Sequence, residues 1–474
     1  MKSTKVNLAL LLAILVMLFG LAAGDLCQKG VTKLEGNYYC QAVKGVRYKN
    51  VGHAGSYEDI VSMPKDGTCG TKTKYFNGRL SPFDEELSLH VRGPAAIKQI
   101  AVYLPCGSGQ KAEKRAHGHT HAHLKKAHHN DNDHKLAKKD QVIATIDGQV
   151  VSWENNWFGS SAEKASTTLV TQALKKPADG VEVASTTEIT LTVTTYTTTC
   201  TVSQVTGNDA SKSTATPTSD AMPTTTSVND KPTDNKNAPS HKHSYKRIGY
   251  YESSSQTAEN LVFLSNFGGQ NSGVFDLTYG ASLAYANSNV TSGSPTPQIL
   301  ADTLIKSRNE VIITTDKKCD NHDCGFVRPG AVAYHGFDGP EKVFLIEVGM
   351  PSDGDTGPEG NQPAIWLLNS KIPRTMQYGR CSCWPACGEL DIAEALSVGS
   401  RYMKSTVHAQ ASGGDSDYFN RPVQGTATIL TVLRKDEIFI GVIPDMKFPD
   451  KFNDFDLEAW MDIDDVMMSD FTIA

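Results

Sequence analysis

Residues 248–474 are cut into short apolar runs by Gly, Pro, Asn and Asp: Leu261 to Leu264, Ser282 to Tyr285, Val311 to Thr315, Val343 to Val348, Ala364 to Leu368, Leu390 to Ala393, Thr428 to Val432 and Ile438 to Val442. Runs of this length bounded by turn residues are strands, and many of them in series build a sandwich or jelly roll. No long stretch keeps the helical period. The expected fold class is therefore all-β, with a C-terminal β-jelly-roll sandwich.

The rest of the chain changes character several times. Met1 to Gly24 has Lys2 and Lys5 ahead of an apolar run and small residues before Asp25, the layout of a secretory signal over 1–24. Residues 25–107 carry Cys27, Cys40, Cys69 and Cys106 and the alternating runs Leu87 to Arg92 and Ile97 to Tyr103, which predict a smaller, disulfide-stapled β-rich N-terminal module. Residues 108–140 hold seven of the 14 histidines among lysines. That composition is read as a solvated, disordered segment, with transition-metal binding as its alternative. Residues 141–182 form a short β segment that contains the pair Trp153 and Trp157, and 183–247 is a disordered Ser/Thr-rich linker. Lys114-Arg115 and Lys246-Arg247 are either protease sites or ordinary surface charge. After residue 24 no apolar run approaches the ~20 residues of a membrane span, so no membrane association is expected once the signal is cleaved, and no apolar C-terminal tail suggests a lipid anchor.

With 46 Lys+Arg against 52 Asp+Glu the net charge is −6, which gives no basic footprint for nucleic acid. The ten cysteines of an exported chain are expected to be oxidised, so Cys381, Cys383 and Cys387 are read as disulfide partners and not as zinc ligands. Cys200 stands alone between the two groups. No cofactor and no metal are expected.

Chemistry concentrates in Trp384-Pro385-Ala386-Cys387-Gly388-Glu389-Leu390-Asp391-Ile392-Ala393-Glu394. On a strand Glu389 and Asp391 share one face, with Leu390 and Ile392 on the other. Glu394 falls on the wrong face unless one β-bulge at Ile392–Ala393 brings it back. Three acids on one surface suit retaining glycoside hydrolysis, which needs one ionised and one protonated carboxyl close together. Trp384 and His408 are candidate sugar contacts, each equally a packing residue. Arg374 is either a substrate contact or a structural ion-pair partner.

The acid pattern resembles the active-site strand of glycoside hydrolase family 16, the β-jelly-roll β-glucanases. That resemblance implies Glu389 as nucleophile, Asp391 as helper and Glu394 as acid/base. A longer set of motifs is similar to a family of fungal secreted cell-wall proteins to which an endo-β-1,3-glucanase domain is ascribed. They are Asp84-Glu85-Glu86-Leu87-Ser88, Arg92-Gly93-Pro94, Tyr334 to Gly339, Ile372 to Thr375, Gln377-Tyr378-Gly379, Cys381 to Trp384 and Cys387-Gly388-Glu389. The resemblance implies a secreted glucan endo-1,3-β-D-glucosidase whose partner is cell-wall β-glucan. Glucan transglycosylation and non-catalytic glucan binding are the alternatives.

Overall fold

The computed structural model of the protein describes residues 31–106, 141–146, 149–154, 243–320 and 323–473. The expected signal, the His-rich segment, the Ser/Thr-rich linker up to residue 242, Cys27, Cys200 and Lys114-Arg115 lie outside them.

Strands dominate, as the apolar runs predict. In chain order those that build the molecule are β1 (Gly45–Lys49), β2 (Gly55–Ser62), β3 (Gly70–Phe76), β4 (Leu87–Arg92), β5 (Ala96–Pro105), β6 (Ser244–Glu252), β7 (Leu261–Ser265), β8 (Glu310–Thr315), β9 (Lys342–Gly349), β10 (Ala364–Asn369), β11 (Glu389–Glu394), β12 (Tyr402–His408), β13 (Ala427–Arg434), β14 (Glu437–Ile443) and β15 (Met468–Thr472). Two helices join them, α1 (Lys371–Thr375) and α2 (Asp454–Met461). No helix among the described residues is long and apolar enough to cross a membrane. Gln141–Ile146 and Gln149–Glu154 pair as a separate antiparallel hairpin.

Two nine-stranded sheets face each other. One runs Gly293–Ser294, Ala284–Ala286, β7, β8, β4, β10, β11, β12, Phe419–Asn420. The other runs Thr257–Glu259, β6, β5, β9, β13, β14, β1, β15, with Lys451–Asn453 added beside β6. All pairings in both are antiparallel except β15 with β1. Alternation fixes what lies between them. Leu87, Leu89 and Val91 of β4, Val311 and Ile313 of β8, Ile365 and Leu367 of β10, and Leu390 and Ile392 of β11 pack against Ile97, Ile100 and Val102 of β5 and Phe344, Ile346 and Val348 of β9. Each fully buried aliphatic side chain of this kind stabilises the fold by about 1.5–3 kcal/mol.

The all-β sandwich holds, but its boundaries differ from the expected ones. Residues 25–107 do not stand apart. β4 pairs with β8 and β10, β5 pairs with β6 and β9, and β1 pairs with β14. The short apolar alternation of β4 and β5 could not bury both faces in a small module, and here it lies at the centre of each sheet. The linker also ends earlier than expected. Lys246 and Arg247 are inside β6, opposite Leu104 and Tyr103. The Cys106 amide donates to Ser244 O at 2.6 Å, so the end of β5 and the start of β6 are adjacent although 138 positions apart in sequence.

Candidate active site

β11 begins at a constrained turn. Gly388 has φ +102°, in the left-handed region, and a Cβ there would meet Pro82 and Phe83 at 3.1–3.2 Å, so glycine is required. The turn leaves the Cys383–Cys387 disulfide loop and is held by Asn369, whose side-chain amide donates to Cys387 O at 2.9 Å. The strand then alternates as expected: Leu390 and Ile392 enter the core, and Glu389 and Asp391 turn away from it.

The bulge is present. Asp391 lies opposite Trp366 and Ala393 opposite Ile365, so β11 carries one residue more than β10, at Ile392. Glu394 thereby returns to the outer face, opposite Ala364 on one side and Lys404 on the other. The same face carries His408 opposite Glu389, Thr406 opposite Asp391, and across β10 the polar row Ser88, His90 and Arg92 of β4.

Four contacts fix the acids. The Trp384 indole N–H donates to Glu389 Oε2. His408 Nε2 donates to Asp391 Oδ2 at 2.9 Å, and the His408 ring lies 6.1 Å from that of Trp384. Ser405 Oγ donates to the Asp391 carbonyl at 2.7 Å. Arg92 Nη2 donates to Glu394 Oε1 at 2.9 Å while its Nε donates to Gln362 O. Beyond Arg92, Glu310 of β8 accepts from His90, Gln377 and Tyr378, and the His90 ring stacks on Trp366 at 5.0 Å.

Crowding sets the charge states. Burial, and then the Asp391 charge, push Glu389 up to about 8, against His408 and the indole N–H, which pull it down. Burial and Asp391 also raise Glu394, with the Arg92 guanidinium opposing them. For His408 burial favours the neutral ring, but the Asp391 hydrogen bond and the surrounding carboxylates outweigh it and raise it to about 9. At neutral pH the site therefore holds an imidazolium locked to Asp391, and a proton resides in the glutamate pair. Such a site can donate a proton to a leaving oxygen and present a carboxylate to a carbon centre, the two acts that glycosyl transfer requires.

Trp384 and His408 are brought to the acids; Arg374 is not. It is 2% exposed on α1, where it binds Glu86 and the carbonyls of Tyr334 and Cys324, so it is the structural ion-pair partner and not a substrate contact. Arg92 is the neighbour of the acids that the reading of the sequence did not single out as an individual. Its signal was the polar face of Leu87-Ser88-Leu89-His90-Val91-Arg92, whose neighbours in space no local pattern reveals.

Donor atoms of Glu389, Asp391 and His408 lie within 4.8 Å of one another, as do those of Cys319, Asp323, Cys324 and His335. In the first group a cation would have to displace the His408–Asp391 bond. In the second Cys319 and Cys324 are bonded to each other and offer no thiolate. The cysteines next to the acids are likewise oxidised, Cys383 with Cys387 and Cys381 with Cys69; Cys40 and Cys106 are also disulfide-bonded.

Comparison with known proteins matches residues 44–105 to the N-terminal and 243–460 to the C-terminal model of a family described as "Cell wall protein YJL171C/Tos1". A Candida albicans protein named "Probable circularly permuted 1,3-beta-glucanase TOS1" is 38% identical over 90% of this chain and 92% of its own length. An Arthroderma benhamiae protein, "Probable circularly permuted 1,3-beta-glucanase", is 34% identical over 89% and 90%. A Saccharomyces cerevisiae protein with the same name as the first is 33% identical over 90% and 91%. No solved structure gives a significant match.

Proposed function

Because the chain belongs to the YJL171C/Tos1 family of cell wall proteins, we propose that it is a secreted wall enzyme cleaving β-1,3-glucan by a retaining double displacement. The observation that carries this reading is the bulged strand β11, which presents Glu389, Asp391 and Glu394 on one face with Trp384 and His408 against them. The names of the relatives supply the substrate. Their permutation agrees with a chain whose early strands β4 and β5 lie inside the two sheets, between strands from the later part of the sequence, and whose last, β15, lies parallel beside β1.

In this mechanism Glu389 attacks the anomeric carbon, and the C–O bond to the leaving sugar breaks as Glu394 donates its proton to that oxygen. Glu394, now ionised, takes a proton from water, whose oxygen then displaces Glu389 from the same carbon. Asp391, held by His408, is the helper beside Glu389. The roles are those implied by the resemblance of the acid pattern to the glycoside hydrolase family 16 strand. The resting charges pull the other way, since Glu394 is the glutamate with a guanidinium partner.

Hydrolysis of laminarin-type glucan by the full chain, with products of retained anomeric configuration, is the test. E389Q should abolish turnover. E394Q should abolish it on glucan but keep slow intermediate formation from an aryl glycoside, and azide should rescue it as a glycosyl azide of retained configuration. Rescue of E389Q in its place would exchange the two roles. Transfer to added glucan in place of water would make the enzyme a transglycosylase. Binding without any turnover would leave a wall-binding protein.

A further inference from the structure

Arg92 reaches the acids from a distant part of the sequence, 302 residues before Glu394. It sits on β4, the strand that lies between β8 and β10 in mid-sheet. Its side chain is 9% exposed and makes two directed bonds, Nε to the Gln362 carbonyl at 2.8 Å and Nη2 to Glu394 at 2.9 Å. Its guanidinium carbon lies 6.0 Å from the centre of the Trp366 ring. A largely buried guanidinium bonded to a backbone carbonyl as well as to its carboxylate has little freedom to leave it.

We propose that Arg92 is the positioning residue of this site: it holds the Glu394 carboxyl in place and decides which of the two glutamates carries the proton before substrate arrives. The proposal rests on the glucanase reading for the role of Glu394, and its geometry stands without it. The other charged groups facing the pair are already engaged. Glu310, opposite Arg92, accepts from His90, Gln377 and Tyr378. Lys404, opposite Glu394, donates to the carbonyls of Tyr38 and Asp415. His408 is bonded to Asp391, and Glu389 to Trp384. Tyr39 feels the Glu394 charge from the far side.

The sign of the effect follows. A fixed cation favours the ionised acid, so Arg92 makes Glu394 lose its proton at lower pH than burial and Asp391 alone would allow. An acid/base needs that proton, and Arg92 therefore sets the alkaline limit of activity.

The experiment is a carbon-13 titration of the glutamate carboxyls in the full chain, with Glu394 identified by its loss in E394Q. In R92M the Glu394 midpoint should rise by about 1–3 pH units. In R92K, which keeps the charge, it should move much less. Glu389, bonded to the Trp384 indole, should shift less than Glu394. R92Q, which can still donate to Gln362 O, serves if R92M does not fold. Where glucan is turned over, the alkaline limb of kcat/KM should rise with the Glu394 midpoint. A Glu394 midpoint unchanged within about 0.5 pH unit in a folded neutral variant overturns the proposal. The titration shift in R92M together with no turnover of glucan by the wild type overturns the glucanase reading and leaves the Arg92–Glu394 coupling standing.

Discussion

Trp384 contributes a hydrogen atom as well as a ring. Its indole N–H is the donor given to Glu389 and lowers the cost of ionising a carboxyl that burial pushes up to about 8. W384F keeps the ring and loses the donor. It should lower kcat on β-glucan by about 10- to 100-fold, in line with a hydrogen bond to a charged group worth about 1.5–3 kcal/mol, while thermal unfolding stays within a few degrees of wild type. The acids also place a cost on the fold. Glu389 binds its proton more tightly folded than unfolded between its ordinary value near 4.5 and about 8, so its contribution to stability is present below that window and is lost as pH rises through it. His408, raised from 6.5 to about 9, acts in the same direction: its stabilisation is full below 6.5 and is lost as pH rises through 9. Tm should therefore fall as pH rises from about 5 to 9. E389Q should flatten that slope and exceed wild type by about 1–3 kcal/mol at pH 8.5, because a buried amide has no charge to desolvate. A denaturation series over this range on both proteins decides it.

Strand β11 shows what one residue does to an element. Without the bulge a regular pleat over the same six residues would turn Glu394 to the core side and Ala393 to the outer face. Deleting Ile392 removes the bulge and its extra residue together and leaves Glu389 and Glu394 four positions apart on one face, so molecules of that variant that fold should keep activity on β-glucan. G388A strains the turn from which the strand starts and should cost about 1–3 kcal/mol and activity together. Much of this element was legible in the sequence. Alternation placed Glu389 and Asp391, and the five-residue spacing to Glu394 required a bulge. The partners of the strand were not legible. Nothing local says that β4, nearly 300 residues earlier, lies one strand away, because antiparallel neighbours are chosen by how two sheets close and not by nearby sequence. For the same reason the two readings of Arg374, substrate contact or structural ion-pair partner, could not be separated in the sequence; it is bound to Glu86. Arg92, visible there only within the Arg92-Gly93-Pro94 motif, is bound to Glu394.

At the scale of the molecule, the two parts that looked like separate units on either side of residues 107–242 make one sandwich. The strand runs, their period and the all-β class were readable from spacing alone. The division into units was not, since a run of apolar alternation does not show whether its partners are near or far along the chain. The Cys69–Cys381 disulfide, spanning 312 residues, ties the first part to the loop that carries Trp384. Its removal in C69S/C381S should cost about 2–5 kcal/mol, and activity should fall faster than Tm predicts, because the bond holds the loop in place. The meeting of Cys106 with Ser244 bears on the covalent continuity of the polypeptide. Among the described residues none between them supplies a strand to either sheet, whereas Lys246-Arg247 is closed to a protease by its pairing in β6 and by the Arg247–Asp450 ion pair at 2.6 Å. A molecule cut at Lys114-Arg115 should migrate as two polypeptides on a reducing denaturing gel and as one on a non-reducing gel. In solution it should melt once and keep its activity: processing would change how many chains the enzyme has without changing how many molecules it is.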